Sequence, residues 1–142
     1  MIARHKGDLS IAHRQFTEGA ALARCYGLKG ALAYNLHGLG EVAVQQGAYQ
    51  AAQQAFDESL EICQSTGPWR DAAVVQLGLA RVAAALDQRL QRNHYLHDAL
   101  ETVMHIDTPA GRRAVLQQLA NVLQTTEYHA YGTRLRAALQ AT

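Results

Sequence analysis

The stretch Leu36-His37-Gly38-Leu39-Gly40-Glu41-Val42-Ala43-Val44-Gln45-Gln46-Gly47-Ala48-Tyr49-Gln50-Ala51-Ala52-Gln53-Gln54-Ala55-Phe56 holds two helical patterns on either side of a breaker. Leu36, Leu39, Gly40 and Ala43 recur at the spacing of one helix face, as do Tyr49, Ala52, Phe56 and the following Leu60. Gly47 between them opens a turn. The stretch therefore reads as one unit of two helices joined tightly.

The unit repeats. A shift of 40 residues carries Gly7 onto Gly47, Ala12 onto Ala52, Phe16 onto Phe56, Glu18 onto Glu58, Gly27 onto Gly67 and Ala33 onto Ala73. The match runs on through Gly38 and Gly78, Leu39 and Leu79, Val42 and Val82, and Ala43 and Ala83. A further shift keeps Leu60 on Leu100, Glu61 on Glu101, Val75 on Val115, Leu79 on Leu119, Ala80 on Ala120 and Val82 on Val122. These are mostly small or apolar positions, where helices touch. The spacing and breakers, including Thr66-Gly67-Pro68 and Ile106-Asp107-Thr108-Pro109, predict helices over 8–25, 29–46, 48–65, 69–86, 88–105, 109–125 and 127–140, with no strand. Thr108 and Pro109 suit the N-cap and first turn of the sixth. Gly38 and Gly40 read as close-packing sites inside a helix.

Composition agrees with an all-α protein. The chain has 142 residues, enough for one domain with a real core, 49% of them hydrophobic and only 2 of them proline. Its 13 Lys and Arg against 12 Asp and Glu leave a charge of +1, far from the dense positive field that nucleic acid requires. Arg112 and Arg113, and Arg134 and Arg136, are isolated pairs without interleaved aromatics. No apolar run is long enough for a membrane span.

The pattern Leu36-x2-Leu39-Gly40-x2-Ala43, Gly47, Tyr49, Ala52-x3-Phe56 resembles the tetratricopeptide repeat (TPR). The second unit keeps Leu79-Ala80, Ala83, Leu96 and Ala99 but has Asp87 at the turn and Arg92 where a small residue is usual. The third keeps Leu119-Ala120 and Leu123, with Gly132 and Leu139 further on. A period of 40 exceeds the usual repeat of about 34 residues and is similar to the longer-helix variety found in bacterial signalling ATPases and transcription activators. The resemblance implies one TPR-like domain over 1–142, a right-handed superhelix of antiparallel helix pairs with about 3.5 repeats. Its parts are 1–25 as the second half of a truncated repeat, then pairs at 26–65, 66–105 and 106–142. Ile2 falls on Val42 and Ala3 on Ala43 under the shift, so the chain is expected to begin inside a repeat, as a fragment or remnant of a longer regulator.

The resemblance also implies a concave surface lined by the first helix of each pair. Its residues here are Tyr34, His37, Glu41, Val44 and Gln45, then Val74, Leu77, Arg81 and Ala84, then Ala114, Gln117, Asn121 and Gln124. This mixed surface lacks the Lys and Arg clamp with which some relatives hold a peptide carboxylate. Tyr34 and Leu77 equally suit inter-helix packing, Glu41 and Arg81 an exposed pair, and Gln117, Asn121 and Gln124 a solvated face. The expected role is a non-catalytic scaffold for a protein or peptide partner, with no cofactor. The alternative is a small-molecule sensor using Tyr34, His37 and Leu77. Helix 8–25, with Leu9, Ile11, Phe16, Ala20 and Leu22, lacks a full partner and is expected to be able to dock a second copy of itself.

Signals of catalysis are missing from the sequence. There is no phosphate loop and no G-x-S-x-G elbow, and no cysteine has a recognisable histidine partner. His94, His97, Glu101 and His105 step along one helix, but Leu96, Leu100 and Val103 define its buried stripe, so a solvated face is expected in place of a metal site. Cys25 and Cys63 are expected to be reduced and buried as small apolar side chains. Met1 to Asp8 lacks the features of a secretory signal, which makes the cytoplasm the default location.

Overall fold

The structure is a computed structural model that describes residues 6–66 and 69–122. They form six α-helices: α1 (Lys6–Tyr26), α2 (Lys29–Gln45), α3 (Tyr49–Thr66), α4 (Trp69–Ala85), α5 (Arg89–Val103) and α6 (Pro109–Val122). No strand occurs among the described residues. The limits differ from the sequence expectation by a residue or two at most ends. The expected helix over 127–140, the Gly67-Pro68 part of a breaker and the residues before Lys6 lie outside the described residues. Two compact units are present, Met1–Gly67 and Pro68–Thr142.

In the first unit α1 packs on α2 and α2 on α3. The glycines of α2 make this possible. A Cβ at Gly38 would overlap the Phe16 ring of α1, and one at Gly40 would overlap the Phe56 ring of α3. Two residues on a helix are turned by about 200°, so α2 offers a bare backbone patch on each flank and takes one phenylalanine from each neighbour. Phe16 and Phe56 are the pair that the 40-residue shift superposes. Ser59, fully buried in α3, donates a hydrogen bond to the Ala33 carbonyl of α2 at 2.9 Å, which satisfies a hydroxyl that burial would otherwise penalise.

In the second unit α5 and α6 both pack on α4. Ala73, Leu77, Ala80, Leu96, Ala99, Leu100, Val103, Ile106, Val115, Leu116 and Leu119 form one core, with Val74 and Tyr95 packed against it. Here the seam is refilled: the position of Gly40 is Ala80, and that of Phe56 is Leu96, both fully buried. A smaller side chain on one helix leaves room for a methyl on the other, so the close packing survives the exchange.

The turns repeat as closely as the seams. The Leu28 amide donates to Ala23 carbonyl at 2.9 Å, Ala48 to Ala43 at 2.8 Å and Gln88 to Ala83 at 2.8 Å, the six-to-one bond that closes a helix C-terminus. The residue before each of these amides has positive φ: +67° at Gly27, +75° at Gly47 and +57° at Asp87. Glycine adopts that backbone without cost, whereas Asp87 carries the turn at some strain. The α5–α6 connection differs. There Thr108 Oγ1 accepts a hydrogen bond from the Gly111 amide at 3.1 Å, the N-cap expected from Thr108-Pro109.

Candidate partner-binding site

The expected surface residues of the first unit sit on one stripe of α2, held from both flanks by the phenylalanine seams. Tyr34 is 69% exposed and meets the Phe16 ring edge-to-face, with centroids 6.3 Å apart. His37 is half-buried and lies 5.8 Å from the Phe56 ring. Its buried Nε2 stands 3.5 Å from Glu41 Oε1, within reach of charge attraction when protonated but not aligned as a hydrogen bond. Gln45 is exposed and Val44 half-buried further along. The arrangement combines an accessible aromatic, an ionisable pair and an amide on a helix closely packed at Gly38 and Gly40.

The second unit deals differently with its share. Leu77 is only 3% exposed and belongs to the core with Leu116 and Leu119 of α6, while Val74 is half-buried against the same core. The packing of α6 on α4 accounts for this, and it makes Leu77 a structural residue. Arg81, Ala84 and Gln117 are exposed and Ala114 is half-buried. Asn121 lies on α6, and Gln124 lies outside the described residues.

An open cleft of about 360 Å³ occupies the opposite side of α2, floored by Leu39 and Ala43 and walled by Ala48, Ala51 and Ala55, with His13, Gln46, Gln54 and Glu58 also lining it. Sequence reasoning did not single it out, because its walls are alanines that read as ordinary packing. At its rim Arg24 of α1 and Glu58 of α3 form a two-pronged ion pair, Nη2 to Oε1 at 2.7 Å and Nη1 to Oε2 at 2.6 Å. The guanidinium hydrogen bond, which outweighs the opposing effect of burial, and to a lesser degree the guanidinium charge hold the Glu58 carboxyl below the usual carboxylate range.

The histidine ladder of α5 resolves into i,i+4 pairs: His94 Nε2 lies 3.2 Å from Asp98 Oδ2, and His97 Nε2 lies 4.0 Å from Glu101 Oε1. No cluster of three or more metal-ligating side chains occurs among the described residues. Cys63 is buried as expected, but Cys25 is exposed. The repeat explains the correction, since Cys63 falls on the buried Ala23 and Cys25 on the exposed Ser65. No described helix is long and apolar enough to cross a membrane. Comparison with protein-family models and with curated proteins returns no match.

Proposed function

We propose that the chain is a non-catalytic scaffold that binds a protein or peptide, built as a TPR-like right-handed superhelix of antiparallel helix pairs. In this reading Tyr34, His37, Glu41 and Gln45 receive the partner in the first unit. Arg81 and Gln117, with Asn121 and Gln124 in the continuing register, belong to the second unit's share. The observation that supports it is Tyr34: an aromatic left 69% exposed on a helix pinned by close seams on both flanks. A large amphipathic ring on a rigid base gives contact area with little entropy to lose, which is why tyrosine dominates many interfaces. The role suggested by the resemblance is that of an arm through which a cytoplasmic regulator senses a partner.

The small-molecule alternative loses one of its three wall residues, because Leu77 is in a core. The scaffold reading is tested by selecting peptides from a random library on the intact protein and measuring their affinity for Tyr34→Ala. Loss of about tenfold or more, with the melting temperature nearly unchanged, is expected. Selected peptides that bind the variant as tightly as the parent would refute it.

A further inference from the structure

We draw no further inference here: the strongest candidate, the open cleft over Leu39 and Ala43 of α2, is walled by a stripe of alanines on α3, and nothing in the structure shows what covers it.

Discussion

At Gly40 and Phe56 a single missing atom decides how closely two helices meet. Gly40→Ala places a methyl inside the Phe56 ring and should cost about 1–3 kcal/mol. The second unit supplies the compensating answer, Ala80 against Leu96. Phe56→Leu introduced with Gly40→Ala should therefore recover much of the loss, so that chemical denaturation of both single variants and the double yields a favourable coupling. Additive losses would mean that the two seams are not equivalent.

The Arg24–Glu58 pair joins residues 34 apart and was beyond any periodic reading, although both charges are plain in the sequence. Because the folded state lowers the Glu58 pKa, its stabilisation is present above the unfolded value of about 4.3 and is lost as pH falls through the folded one. Exposure to solvent limits the effect to about 1 kcal/mol or less. Asp57, raised by burial, titrates in the opposite sense. Glu58→Gln should lower stability at pH 7, and the difference from the parent should shrink as pH falls below the unfolded value and through the lowered folded one, as read from urea unfolding at a series of pH values.

Among the elements, the turns show how local chemistry sets the hairpins. Gly27, Gly47 and Asp87 occupy the same left-handed place, and only the last carries a side chain there. Asp87→Gly should raise stability by up to about 1 kcal/mol, and Gly47→Ala should lower it by about 1 kcal/mol or more. Thermal unfolding of the two variants checks both signs. Helix positions were legible because the breakers and apolar stripes recur in register, and the Thr108 cap because Thr108 directly precedes Pro109, which suits a first helical turn. Cys25 is exposed against expectation because its place within a helix pattern indicates an apolar neighbourhood but not which face a neighbour covers.

For the molecule as a whole, the sequence revealed a repeated helix pair and a charge of +1, and the structure gives each unit its own packing. The candidate surface was legible in part. Tyr34, Glu41 and Gln45 lie on the expected α2 stripe, whereas Leu77 was assigned by repeat position alone, which does not reveal that α6 buries the corresponding site. The alanine-walled cleft left no signal, because alanine serves packed and open faces equally well. These two sides of α2 now make opposite predictions about where a partner sits. Backbone NMR titration of the intact protein with a selected peptide separates them. The scaffold account predicts saturable shifts concentrated at Tyr34, His37, Glu41 and Gln45, while shifts confined to Leu39, Ala43 and Gln46, or none at all, would contradict it.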